Sequence, residues 1–349
     1  SGTYGTGLTL STSGGSGSGA VSYVVTNGTA TGCAISASVL SATSAGTCLV
    51  TATKAADSNY NAVSSVLKTV TFAKASQSAL TVTSTSATYG DSLQLAYSGG
   101  SGTGAVTFTI AASGTASGCS INSGVLTALS AGTCIVKVSV AGDANYLVAT
   151  SANTTVTFAQ AAQSALVITS TSGTFGSALA LTTSGGSGTG TVTFTVANGT
   201  ATGCAIASGK LSATSTGTCF VTATKAANAN YLAYTSAATE VTIAASSQAA
   251  LTVTSVTATY NTPLTLTTSG GSGTGAVTFD VDNGTANGCV VVNGVLTSTS
   301  AGTCLVTAQK SGDANYLNAS SSQTTVTVNP AAQAAITVTT TTATYDTPM

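Results

Sequence analysis

Thr133-Cys-Ile-Val-Lys-Val-Ser-Val140 is the stretch whose reading decides the fold. It is long, strongly apolar and rich in β-branched residues, which places it centrally in a sheet. Working outward, Val125-Leu-Thr127 and Cys119-Ser-Ile121 flank a turn at Gly124, and Ala105-Val-Thr-Phe-Thr-Ile110 follows a Gly-rich turn at 99–104. Leu80-Thr-Val-Thr-Ser84 and Leu93-Gln-Leu-Ala-Tyr97 alternate apolar and polar, as half-buried strands do. Thr154-Thr-Val-Thr-Phe158 closes the set. Seven short strands separated by turn signals, with no competing helical period, predict an all-β sandwich.

The same pattern recurs along the 349 residues. Ser-Gly-Gly-Ser-Gly stands at 13–17, 98–102, 184–188 and 269–273. Asn-Tyr stands at 59–60, 145–146, 230–231 and 315–316. An aromatic stands at Tyr4, Tyr89, Phe175, Tyr260 and Tyr345. These landmarks, and the cysteines, advance by 85 or 86 residues. That period exceeds the usual solenoid unit of about 20–50 residues and suits a small sandwich with its own core. Units begin near Gln77, Gln163, Gln248 and Gln333. The expected division is therefore 1–76 (first strand missing), 77–162, 163–247, 248–332, and 333–349 as the start of a further repeat. The spare strand expected at Ala335–Thr344 fits a chain that continues in both directions. Linkers such as Ala159-Gln-Ala-Ala-Gln-Ser164 are short, which predicts a semi-rigid rod.

Composition removes several function classes. Charged residues are 4% of the chain, with seven Lys, no Arg, no His and a formal net charge of −1. No basic face is available for nucleic acid. Ser and Thr number 119, but hydrophobic residues at 43% separate the chain from disordered Ser/Gly linkers. Apolar runs are too short and broken for a membrane span. Without His there is no Ser-His-Asp triad. Glu240 is the only Glu, and Asp280 and Asp282 share one face of one strand in one unit only. The reading is a protein that is not an enzyme and needs no cofactor. Few groups titrate between about pH 5 and 9, which predicts insensitivity to pH and salt.

Eight cysteines fall as Cys33/Cys48, Cys119/Cys134, Cys204/Cys219 and Cys289/Cys304, each pair inside one unit. Disulfides fit this spacing in an oxidising compartment. Zinc, which wants four converging N/S ligands, and free buried thiols are the alternatives. Asp57, Asp143 and Asp313 with Asn59, Asn145 and Asn315 offer oxygens for calcium, but Asn228 replaces the Asp in the third unit. The competing reading is a turn in which Asp or Asn caps its own backbone while Tyr packs over the sandwich end. Lys54, Lys225 and Lys310 raise the idea of isopeptide cross-links, for which acids are scarce. The Gly/Ser loop lacks the G-K-[ST] ending of a phosphate cradle and reads as a strand-to-strand turn. Asn27, Asn153, Asn198, Asn283 and Asn318 each open a glycosylation sequon.

Gly124-Val-Leu-Thr-Ala-Leu-Ser-Ala-Gly-Thr-Cys-Ile-Val-Lys-Val138 resembles the signature of bacterial immunoglobulin-like (Big) domains. The pattern repeats at Val39–Ala52, with Ser38 in place of Gly, at Gly209–Ala223 and at Gly294–Ala308. Lys54-Ala-Ala-Asp-Ser-Asn-Tyr60 is similar to that family's K-x-x-D-x-N-Y element. The resemblance implies Ig-like sandwiches in bacterial surface proteins such as adhesins, stalks and filament-forming proteins. The fold class expected is thus a tandem array of Ig-like seven-stranded β-sandwiches, one intradomain disulfide each, arranged as an elongated rod outside the cell or on its surface. The function expected is structural, giving length and stiffness, with neighbouring repeats as partners. Two alternatives stand beside it. One is a self-assembling filament or sheath, with like chains as partners and strand donation as its means. The other is a glycan- or receptor-binding adhesin module.

Overall fold

The computed structural model describes residues 1–340, 342 and 345. The described residues contain strands and turns and no helix. The chain divides into two compact units. One is Ser1–Gln163 with Ser187–Gly190 and Ala227–Ala233; the other is Ser164–Gly186, Thr191–Ala226 and Tyr234–Met349. Four repeated groups of sheets run through them.

The second repeat illustrates the pattern. Gly132–Val140 is central in a five-stranded sheet. It pairs antiparallel with Val106–Ala112 on one edge and with Thr154–Ala159 and Ala149–Thr150 on the other. Ser86–Thr88 adds to Thr154–Ala159 in parallel. The facing layer consists of Leu93–Gln94, Val125–Thr127 and Ser120–Asn122, together with the pair Thr81–Val82 and Tyr97–Ser98. Alternation along the central strand sends Cys134, Val136, Val138 and Val140 into the core, all buried. Leu126 meets them from the opposite layer, joined by Leu80, Val82, Leu95, Val156 and Phe158. The other central strands are Gly46–Lys54, Gly217–Lys225 and Gly302–Lys310.

All seven expected strands of the second repeat are present, one of them divided in two, and Ser86–Thr88 and Ala149–Thr150 add two short ones. The expected strand 80–84 pairs only at Thr81–Val82, and Ser86–Thr88 then joins the other sheet. The expected strand 93–97 is the one that divides. Leu95 N–H is drawn to Gly124 O, while Ala96 O accepts from Thr83 N–H, so its two ends serve different partners. No strand is assigned to residues 335–340, and 341, 343 and 344 of the expected Ala335–Thr344 strand lie outside the described residues.

A disulfide ties the two layers in each repeat. Cys119 precedes the Ser120–Asn122 strand of one layer, Cys134 lies on the central strand of the other, and their Cα atoms are 5.9 Å apart. Cys33–Cys48, Cys204–Cys219 and Cys289–Cys304 repeat the arrangement.

The turn between Ser120–Asn122 and Val125–Thr127 takes positive φ at two successive residues, Ser123 (49°) and Gly124 (78°). Such a turn matches the twist of the flanking strands and favours Gly at the left-handed position. In the first repeat that position is Ser38, at φ 62°. A left-handed conformation is costly for a residue with a Cβ. Ser38→Gly is expected to stabilise the first repeat by about 0.5–1 kcal/mol, read as a raised denaturant midpoint with an unchanged slope.

Candidate functional site: the junction between successive repeats

Each described junction is built from the same four parts. The first is the Asp/Asn-x-Asn-Tyr loop of the following repeat. In the second repeat, Asp143 Oδ1 accepts the N–H groups of Asn145 and Tyr146, and Oδ2 accepts Thr103 N–H at 2.7 Å and the Thr103 hydroxyl. Asp57 is served by Ser18, Asn59 and Tyr60, and Asp313 by Thr274, Asn315 and Tyr316. Both carboxylate oxygens are therefore occupied by donors of the protein itself. The described residues contain no group of three or more His, Cys, Asp or Glu arranged to hold a metal ion. Asn228 keeps the Oδ1 half of the pattern and turns Nδ2 to the Thr189 hydroxyl.

The second part is the loop's Asn side chain, which reaches the preceding repeat. Asn145 Oδ1 accepts Ala45 N–H at 3.0 Å, Asn230 Oδ1 accepts Ala131 N–H at 3.0 Å, and Asn315 Oδ1 accepts Thr216 N–H at 2.9 Å. The third part is an aromatic pair. Tyr4 meets Tyr146, Tyr89 meets Tyr231, and Phe175 meets Tyr316, each edge-on with ring centroids 5.5 Å apart. Such pairs contribute roughly 0.5–1.5 kcal/mol beyond the area they bury.

The fourth part is the linker. Ala75 forms a parallel bridge with Tyr146: its N–H donates to Asn145 O and its carbonyl accepts Leu147 N–H, both at 2.9 Å. Ala161 does the same with Tyr231, and Ser246 with Tyr316. Just beyond each linker, Gln77, Gln163 and Gln248 donate Nε2 to the carbonyls of Leu147, Leu232 and Leu317, each at 2.8 Å. Their Oε1 atoms accept from the N–H groups of Gly102, Gly188 and Gly273 in the Gly-rich loop. Side chains of the preceding repeat add one more bond. Lys74 Nζ donates to Asp143 O, Gln160 Nε2 to Asn228 O, and at the third junction the Thr216 hydroxyl donates to Ala314 O.

The reading of the Asn-Tyr loop as a self-capping turn describes half of what it does; the Tyr packs on the aromatic of the preceding repeat. Both aromatic markers were visible as periodic landmarks. Their shared period was the signal available, but a contact between residues in different repeats has no local sequence pattern. The Gly-rich loop is bonded to Asp143 and Gln77 rather than standing free.

The remaining candidates are dispersed. Asp280 and Asp282 are exposed on the Val277–Asn283 strand, with Asp280 bonded to Gln309, and Glu240 is exposed on the Thr239–Ala244 strand. Lys225 Nζ donates to Gly186 O. Lys54 and Lys310 lie along Gly15 and Gly271 of the Gly-rich loops. All five sequon asparagines are exposed. Asn27, Asn198 and Asn283 use Oδ1 to accept the N–H of Cys33, Cys204 and Cys289. No described helix is long and apolar enough to cross a membrane, a statement that leaves β-barrels aside.

Hydrogen-bond donation lowers the Asp carboxylates' pKa. The Thr103 N–H, with Asn145 and Tyr146 N–H, holds Asp143 at about 2 against an ordinary 3.8; Asp57 and Asp313 are lowered chiefly by the N–H groups of Asn59 and Thr274. A depressed folded-state pKa gives stability that is complete above 3.8 and is lost as pH falls towards about 2. Melting of the second repeat is thus expected to be level above about pH 5 and to fall below about pH 4. Asp143→Asn, which copies Asn228, removes this loop's share of the acid loss.

Fold and junctions together define a tandem β-sandwich repeat protein. No protein-family model matches the chain, and no curated protein matches it either. Among solved structures, the human desmocollin-1 ectodomain is similar at 10% identity, with 82% of this chain and 67% of that one covered and a TM-score of 0.25. Domains 1–6 of the surface layer protein SbsC are similar at 15% identity, 90% and 50% coverage and a TM-score of 0.24. The Escherichia coli adhesin FdeC is similar at 16% identity, 75% and 100% coverage and a TM-score of 0.26. The chain spans about half the length of the SbsC structure it matches.

Proposed function

We propose that this chain is a non-enzymatic structural region of an extracellular stalk, fibre or adhesin, in which repeats bounded at 1–76, 77–162, 163–247 and 248–332 follow one another as a semi-rigid rod. Residues 333–349 begin another. The observation that carries the reading is the junction. Three times over, the linker backbone, an Asn side chain and an aromatic pair are spent on joining one repeat to the next. Hydrogen-bonding the linker withholds the backbone freedom that would make a hinge. Four disulfides support an oxidising location outside the cell. The Gly-Val-Leu-Thr pattern with the Asp-x-Asn-Tyr loop supports placing the repeats with the bacterial Ig-like family.

Electron microscopy of the isolated chain tests the reading. An elongated particle of restricted bending is expected, and a compact globule would sink the proposal. Replacing Asn145 and Tyr146 together by Ala is expected to cost the first junction about 1–3 kcal/mol and to widen the bending distribution there, with each disulfide intact.

A further inference from the structure

Five Asn-Gly pairs occur in the chain, at 27–28, 198–199, 283–284, 287–288 and 293–294. In such a pair no Cβ shields the following nitrogen, which can then reach the carboxamide carbon of the Asn. The fold treats the five pairs differently. Asn27, Asn198 and Asn283 use Oδ1 to accept the N–H of Cys33, Cys204 and Cys289, at 2.9, 2.9 and 2.8 Å. The nitrogen that would attack is held as well: the N–H groups of Gly28, Gly199 and Gly284 donate to the carbonyls of Thr47, Thr218 and Thr303, each at 2.9 Å. Asn287 is held by its backbone. Its N–H donates to Ser300 Oγ, and its carbonyl accepts both the N–H and the hydroxyl of Thr299, all at 2.9 Å.

Asn293 has none of these restraints. With Gly294 it forms the two-residue turn between Val290–Val292 and Val295–Thr297, at φ 49° and 77°. Its side chain is exposed. Among the described residues, no hydrogen bond reaches the Asn293 backbone, its carboxamide or the Gly294 N–H. Ala37, Ser123 and Ser208 take this place in the other repeats, at φ 46°, 49° and 48°. The fourth repeat alone carries a carboxamide there.

We propose that Asn293 is a site of spontaneous covalent modification, converted through a succinimide to aspartate and isoaspartate while the other four Asn-Gly pairs of the folded chain are held back. Hydroxide takes the Gly294 N–H proton, and the nitrogen attacks Asn293 Cγ. The N–Cγ bond forms, the Cγ–Nδ2 bond breaks, and ammonia leaves with a proton from water. A second water opens the ring. Opening at Cγ gives aspartate; opening at the main-chain carbonyl gives isoaspartate, whose main chain runs through the former side chain. The sum is one water consumed and one ammonia released, with nothing oxidised or reduced. Either product takes the formal net charge from −1 to −2. Isoaspartate also lengthens a turn whose two-residue span sets the register of its strands. This goes beyond the mechanical reading and is judged by chemistry at one residue, so either can fail while the other stands.

Peptide mapping by mass spectrometry tests it, on the folded chain held at mildly alkaline pH and sampled over time. Conversion is expected first at Asn293, at least ~10-fold faster than at Asn27, Asn198 and Asn283, where two hydrogen bonds must open beforehand. Isoelectric focusing should show one more acidic band growing in step. Reduction and unfolding in denaturant are expected to erase the difference among the five pairs. Asn293→Ser, which copies Ser123 and Ser208, keeps the turn and is expected to remove the first acidic band. Equal rates at the five pairs in the folded chain would overturn the proposal. So would an Asn293 that converts only after unfolding, or an acidic band that persists in Asn293→Ser.

Discussion

Removing the disulfide of the second repeat with Cys119→Ala and Cys134→Ala is expected to destabilise that repeat by about 3 kcal/mol. A closed loop of about 15 residues is worth roughly that much in the chain-entropy account, whose mechanism is model-dependent. The effect is large because the repeat is small and its core is made of side chains of modest size, with Phe158 and Leu126 the largest fully buried ones. The cross-link also joins the two layers directly, since Cys119 immediately precedes the Ser120–Asn122 strand of one and Cys134 lies on the central strand of the other. For a domain of this length the loss corresponds to a drop in melting temperature of roughly 12–24 °C. Calorimetry of the variant beside the parent should show one transition moved and the rest in place. An unmoved transition would mean that hydrophobic packing alone holds the layers.

Phe158→Ala is the second large effect, at about 3–5 kcal/mol. Phe158 is 1% exposed, on the Thr154–Ala159 strand, and packs in the cluster that includes Leu126, Val136 and Val156. Truncation removes its transfer free energy and leaves a cavity among neighbours fixed by sheet hydrogen bonds, so collapse is incomplete. The neighbouring Thr157 points outward and is exposed; Thr157→Ala should change stability by no more than about 0.5 kcal/mol. Amide exchange along Gly132–Val140 distinguishes the two, with fast exchange expected in the Phe158 variant alone.

These contrasts show where the chain's pattern was readable. Gly132–Val140 carries its own evidence, because alternation sends Cys134, Val136, Val138 and Val140 to one side. The turn at Gly124 was equally plain, since only that backbone geometry brings Ser120–Asn122 back onto Val125–Thr127. Ser86–Thr88, Tyr97–Ser98 and Ala149–Thr150 were not readable. Each is two or three residues long and exists because a neighbouring strand offers unpaired groups, so tertiary position decides it. Leu93–Tyr97 looked like one strand because its apolar residues do share one face; its hydrogen bonds are divided between partners.

The junction was half readable for a related reason. Asp143 as a turn-former follows from the local Asp-x-Asn sequence. The reach of Asn145 to Ala45 N–H, and of Tyr146 to Tyr4, crosses from one repeat to another. Periodicity recorded the participants without saying which pairs with which.

One consequence concerns how such a chain tolerates duplication and loss. Each of the three described joints uses the same Asn carbonyl and the same edge-on ring contact, with Phe175 accepted in place of Tyr. Excision of one whole period from the coding sequence would bring Tyr89 and Ala131 against Tyr316 and Asn315, a match already present at its neighbours. Recombination between copies can therefore lengthen or shorten the product in whole steps, and natural variation should appear as copy number before it appears as altered joints.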